Sequence, residues 1–223
     1  MSAIEDPVLT SVSRTIAALA DRARPVVVAL DGPVAAGKST LAAGLVGTLR
    51  NLGLAAAQVA ADGFLLPLAR LEGLGLVGGK GFPESFDRPA MLAFLAALRA
   101  GEAPDAPAYD HQLYDVSVQQ HQPTRGAAVV IVEGVNVLQP DLCPQYDLRL
   151  YLDTPEEEAK ARFLRRFAAT PFSPARAQAL APWRPADGDP ASWGEAVWAA
   201  INGPNLERHI ASGRTRADRI LAG

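Results

Sequence analysis

The sequence predicts an α/β fold: a mostly parallel sheet with helices on both faces, in a single domain over residues 1–223. Three observations carry that prediction. Two continuous valine-rich runs, VVVALD at 26–31 and AVVIVE at 128–133, have the pattern of strands buried on both faces of a parallel sheet. Stretches of helical period separate the candidate strands. A loop bounded by glycines, residues 32–37, joins the first run to a helix that begins near Lys38, so the order strand, loop, helix is legible from the start.

The elements follow in order. Val8, Val12, Ile16 and Leu19 recur at helical spacing, which predicts an amphipathic helix over 8–22 within an N-terminal segment, 1–25, that Arg24-Pro25 closes. After the strand at 26–31 a helix is expected from Lys38 to Leu52, stopped by Gly53. Residues 55–61 read as a weaker strand because alanine is a poor strand former. Six glycines and two prolines within 63–88 predict mostly loop. Residues 89–100 predict a helix, with Pro89 in its first turn and Gly101 after its end. Residues 104–126 are mixed and polar and predict no element. Beyond the strand at 128–133, residues 147–153 alternate as DLRLYLD and predict another. A helix should follow to about Ala168, with Thr154 as N-cap, Pro155 in its first position and acids in its first turn. Residues 168–190 are expected to be irregular, because 171–190 hold five prolines. Helices are expected at 191–202 and 204–212, and a last short strand at 219–221.

Composition narrows the function classes. With Lys+Arg at 21 and Asp+Glu at 24, the formal charge is −3, and no basic run offers a surface for nucleic acid or an anionic membrane. The one cysteine, Cys143, forms no intrachain disulfide and suits a reducing compartment. No apolar stretch has the length of a membrane span and the start lacks a signal-peptide pattern, so the expectation is a cytoplasmic protein acting on a small molecule.

The strongest chemical signal is Gly32-Pro33-Val34-Ala35-Ala36-Gly37-Lys38-Ser39, followed by Thr40. It matches the P-loop signature G-x-x-x-x-G-K-[ST] without a mismatch and sits between a buried strand and a helix, as the motif requires. Glycines let backbone N–H groups curl around phosphate oxygens, and the helix N-terminus adds its positive dipole end. Lys38 would reach the β- and γ-phosphates, and Ser39 would offer its hydroxyl to Mg²⁺. Residues 32–40 are therefore the expected ATP site. Asp62 closes the second strand, where a carboxylate can accept the proton of an attacking hydroxyl or hold a metal. Glu133 closes the third strand and is the expected second metal residue beside Ser39. On the helix after Pro155, Arg162, Arg165 and Arg166 offer a cationic surface, and Arg162 and Arg166 share one face. His111 lies between Tyr109 and Tyr114, and no His/Cys group has metal-site spacing.

Taken together these residues resemble bacterial type I pantothenate kinases, within the P-loop group that also holds uridine kinase and phosphoribulokinase. The resemblance rests on GPVAAGKST (32–40), ADGFLLP (61–67), LGLVGGKGFPESFD (74–87), APAYDHQLYDV (106–116), VVIVEGVNVLQ (129–139), DLRLYLDTPEE (147–157), FLRRF (163–167) and INGPNLERHIASGRTRADRIL (201–221). It implies a P-loop NTPase-type sheet, ATP and Mg²⁺ as cofactors, a place in coenzyme A biosynthesis, and a homodimer. It implies Asp62 as catalytic base, with Lys38 and Arg166 stabilising phosphoryl charge and Arg166 contacting the nucleotide. Tyr109, His111 and Asn202 match substrate positions, and Tyr114 and Phe163 complete the expected substrate-binding set.

The chain also departs from that family. Family enzymes carry a tyrosine where Phe163 stands and, where Ala43 stands, an arginine that binds the inhibitor coenzyme A. The segment between Phe167 and Trp198 is shorter, and 31 residues precede Gly32 where the family has more. Pantothenate or a related alcohol is thus the expected acceptor. The competing expectations are a nucleoside (uridine-type) or sugar kinase, and a nucleotide-binding regulator with little transferase activity.

Overall fold

The structure, a computed structural model, describes residues 7–20 and 23–223. The chain order is α1 (Pro7–Leu19), β1 (Val26–Asp31), α2 (Lys38–Asn51), β2 (Ala56–Ala60), α3 (Leu68–Gly73), α4 (Arg88–Arg99), β3 (Ala106–Asp110), β4 (Asp115–Gln122), β5 (Val129–Glu133), β6 (Leu148–Asp153), α5 (Glu156–Ala169), α6 (Pro174–Leu180), α7 (Pro190–Val197) and β7 (Arg219–Ala222). Residues 21 and 22, the end of the predicted first helix, lie outside the described residues, as do 1–6.

The main sheet has the strand order β2-β5-β1-β6-β7, and every pairing in it is parallel. β1 and β5 are buried at every position, which is why both read as unbroken apolar runs and not as alternating ones. Strand periodicity divides their side chains between two cores. Val26, Val28 and Leu30 face Ile16 of α1 and Leu45 and Leu49 of α2. Val27 and Ala29 face Met91, Phe94 and Leu95 of α4. Helices therefore cover both faces, as predicted. Arg24 ties the start of β1 to Asp147 ahead of β6 through a 2.7 Å ion pair, and Asp147 also accepts the Val27 amide at 2.9 Å. Strand order turns back across β1, so the crevice lies at the carboxyl ends of β1, β2 and β5.

Five expectations need correction. The polar stretch 104–126 is an antiparallel hairpin, β3–β4, which pairs apart from the main sheet. Its signal was weak because β4 is largely exposed and has no buried face to impose alternation. The stretch 63–88 holds α3 and short helical turns around its glycines. Residues 168–190 are irregular only in part, at 170–173 and 184–189: α5 runs to Ala169, and α6 follows with Ser173 as its N-cap and Pro174 in its first turn. Pro174 and Pro190 there start helices instead of breaking them. Thr154 does not cap α5; Pro155 holds the cap position, and the Thr154 hydroxyl is buried without a hydrogen-bond partner. The two C-terminal helices merge as well. From Pro190 to Arg216 the chain stays helical through π-type turns at Trp198–Asn202 and Leu206–Ile210. Pro204 lies between them, and its missing N–H accounts for widened turns in place of a regular helix. Among the described residues no helix is long and apolar enough to cross a membrane.

Candidate active site

The loop between β1 and α2 has backbone angles that few residues accept. Gly37 has φ 101° at the start of α2, Ala35 has φ 61°, and Gly32 has φ 149°. At Gly32 a Cβ would lie 2.5 Å from the Leu152 carbonyl oxygen of β6, so only glycine fits against that strand. The loop ends on the N-terminus of α2, where free amides and the helix dipole favour an anion. Lys38 is 7% exposed, and its ammonium donates to the carbonyls of Gly32 at 2.9 Å and Pro33 at 2.7 Å. Burial pushes its pKa down, opposed by the charges of Asp31, Glu133 and Asp62.

Ser39 donates its hydroxyl to Glu133 at 2.8 Å, which joins the first turn of α2 to the end of β5. Glu133 is 5% exposed, and burial raises its pKa against the Ser39 hydrogen bond and the Lys38 charge. The pair presents hard oxygen donors from a serine and one carboxylate, the set that suits Mg²⁺ when nucleotide phosphates supply the remaining ligands. Among the described residues no group of three or more His, Cys, Asp or Glu could hold a metal by itself.

Asp62 lies just past β2, in the turn Ala61–Phe64. It lines a cleft of about 510 Å³ together with Lys38, Ser39, Thr40 and Glu133, and with Arg162 and Arg166 of α5. Val34, Ala35 and Gly37 line the same cleft, while Gly32, Pro33 and Ala36 form the loop behind it. An adjoining cavity of about 620 Å³ shares Asp62 and Glu133 with the first and adds Phe163, Phe167 and Arg176. Tyr109, His111, Tyr114, Arg166 and Asn202 line both. Tyr109 and His111 meet edge to face at 5.1 Å. Phe163 is largely withdrawn into an aromatic cluster with Phe167 and Trp198, each 5.5 Å away.

Sequence reasoning overlooked five residues. Lys80, in the KGFPES segment, donates to the Tyr109 hydroxyl at 2.9 Å and the Tyr114 carbonyl at 2.6 Å. Burial lowers its pKa to about 8 despite the charges of Asp115 and Asp62. One signal could have found it, since the chain has only three lysines. Arg162, which the sequence did single out, reaches the loop itself, donating to the Ala36 carbonyl at 2.9 Å. Asn205 and Asn136 both donate to the Gly81 carbonyl at 2.8 Å, which pins the segment that carries Lys80. Asp31, 1% exposed, accepts from the amides of Gly32 at 2.7 Å, Leu138 at 2.9 Å and Asn136 at 3.1 Å. Burial still raises its pKa to about 6. A terminal Asp in an apolar strand carries no pattern of its own, and only the fold reveals what it holds. Arg176 stands on α6, inside the segment expected to be irregular.

No family model matches the chain. Curated relatives do. A pantothenate kinase of Nitrobacter hamburgensis is 36% identical over 225 residues, 93% of this chain and 71% of the relative. That of Streptomyces coelicolor is 36% identical over 214 residues, 88% of this chain and 65% of the relative. The chain thus spans about two thirds of the length of those relatives. Among solved structures, a protein of Silicibacter sp. TM1040 named for a fructose transport system kinase aligns with a TM-score of 0.70 and 26% identity, over 96% of this chain and 98% of that one. A protein of Bacillus stearothermophilus named for uridine kinase aligns at 0.63 and 21% identity, over 96% of each chain, a likeness of fold alone.

Proposed function

The chain belongs to the pantothenate kinase family, and from that premise we propose that it transfers the γ-phosphoryl group of ATP to a hydroxyl of pantothenate. The observation that carries the reading is the single crevice in which the phosphate loop, Asp62 and the Tyr109–His111 wall face one another. Residues 32–40 would wrap the triphosphate with their amides. Asp62 would orient the acceptor hydroxyl and take its proton as the oxygen attacks the γ-phosphorus. The bond to the bridging oxygen then breaks and ADP leaves. Lys38, once turned from the Gly32 and Pro33 carbonyls onto the phosphates, would offset charge on the transferred group, with Arg166 beside it. Mg²⁺, held by Ser39 and Glu133, would neutralise phosphate charge when bound. Tyr109, His111, Tyr114 and Asn202 would contact the acceptor, and Phe163 would give it an apolar floor. We place the enzyme in the cytoplasm as a homodimer, which size-exclusion chromatography with light scattering checks.

A kinase of a neutral sugar is the second reading. It is favoured by Phe163, which lacks a hydroxyl, and by the 98% coverage of the neighbour named for a fructose transport system. ADP release with pantothenate, fructose and uridine as acceptors separates the readings. Turnover with pantothenate at least tenfold above the others is expected. Preference for fructose or uridine would replace the first reading, and nucleotide binding without turnover of any acceptor would point to a regulator.

A further inference from the structure

One cation on the wall of the larger cavity has no carboxylate to match it. Arg176 is half-buried, and among the described residues the only hydrogen bond of its guanidinium goes to the Thr170 carbonyl, at 3.1 Å. No acidic side chain forms a salt bridge with it there. Its guanidinium lies over the rings of Phe172, at 4.2 Å, and Phe167, at 4.7 Å. Phe172 stacks in turn on Trp193 with centroids 4.5 Å apart and planes 8° from parallel, and Arg184 lies over the Trp193 ring at 5.4 Å. Trp193 is fixed by its indole N–H, which donates to the Leu180 carbonyl at 3.1 Å. The guanidinium is therefore held by its face, which leaves edge N–H groups free for a planar, two-oxygen partner. Burial pushes its pKa down, opposed by Tyr114 and assisted by the Arg166 charge, so an anion paired with the guanidinium would offset the cost of burying it. Arg176 lines the same cavity as Asp62, Lys80, Tyr109 and Tyr114.

We propose that Arg176 is a specificity residue that pairs with a carboxylate on the acceptor, so that the enzyme phosphorylates carboxylate-bearing alcohols in preference to their neutral counterparts. This rests on the reading of the cavity as the acceptor site. It goes beyond it by assigning the charge of the substrate to a residue outside the phosphate-handling group.

The test measures kcat and KM for matched pairs: pantothenate against pantothenol, and glycerate against glycerol. Wild type, Arg176→Gln and Arg176→Lys are compared, with thermal melting and the KM for ATP as controls. For the preferred acid, Arg176→Gln should raise KM by about tenfold to a hundredfold, the range of a hydrogen bond to a charged group. The paired neutral alcohol and ATP should be unaffected, and Arg176→Lys should recover part of the loss. An equal loss for acid and neutral partner would mean that Arg176 only packs on the rings, and would overturn the proposal. So would an unchanged acid-to-neutral ratio, a wild-type preference for the neutral alcohol, or no turnover of either acid. If glycerate turns over with this dependence and pantothenate does not, the role of Arg176 stands and the pantothenate reading falls.

Discussion

At the scale of single residues, the crevice brings Lys38, Arg162 and Arg166 together with Asp62, the residue proposed to take the proton. Asp62 lines the same cleft as the phosphate loop. In Asp62→Asn, kcat should fall by about 10²–10⁴-fold, the usual worth of a positioned proton acceptor, while the KM for ATP stays near normal. Near-normal turnover in that variant would remove Asp62 as the base. Asp31 makes a different prediction. Its carboxyl is raised from 3.8 to about 6 in the fold, so the folded state binds the extra proton between those values. The unfolded state releases that proton first, and the stability contributed by this group is present below about pH 4 and lost as pH rises through 6. A shift of that size corresponds to about 3 kcal/mol. Urea unfolding of wild type and Asp31→Asn at pH 4 and pH 7 should show wild type gaining on the variant at the lower pH. A difference independent of pH would mean that the carboxylate is accommodated ionised.

At the scale of elements, the junction between β2 and the hairpin leaves no room for a side chain. A Cβ on Gly63 would lie 1.9 Å from the Pro107 carbonyl oxygen of β3. Gly63→Ala should therefore force the hairpin off β2, lower stability by about 1–3 kcal/mol as overpacking does, and reduce activity by displacing Tyr109 and His111. A melting temperature and turnover equal to wild type would contradict that. The same junction explains what was legible in the sequence. β1, β5 and the phosphate loop were readable because buried strands and phosphate cradles accept few residue types. The hairpin was not, because its outer strand is exposed and Val118, at 90% exposure, obeys no core pattern. α6 was hidden by its prolines, although Ser173-Pro174 is a cap followed by a first-turn proline. Glu133 stands at the strand end the sequence predicted, and Asp62 lies in the turn just past its strand. Lys80 and Asp31 are defined by partners far away in the chain, which no local spacing reports, and Arg176 was hidden with the helix that carries it.

At the scale of the whole molecule, two apolar clusters sandwich the parallel sheet, and a third stands apart, built from Phe163 and Phe167 of α5, Leu180 of α6 and Trp193 of α7. Trp193 is 5% exposed, and its removal should cost about 3–5 kcal/mol where it packs. That loss should be local. Hydrogen exchange of Trp193→Ala should show residues 170–198 losing protection while β1 and β5 keep theirs. Equal loss across the sheet would mean that the third cluster and the sheet open as one unit. The hairpin meets β2 through a side chain as well as through packing. The Gln122 side chain accepts from the Ala60 amide at 2.7 Å and donates to the carbonyls of Ala60 at 3.0 Å and Pro107 at 2.7 Å. One amide group thus stands in for a neighbouring strand along the edge of β2. At that point the rim of the sheet is closed to a foreign strand by a side chain and not by a ladder of backbone bonds.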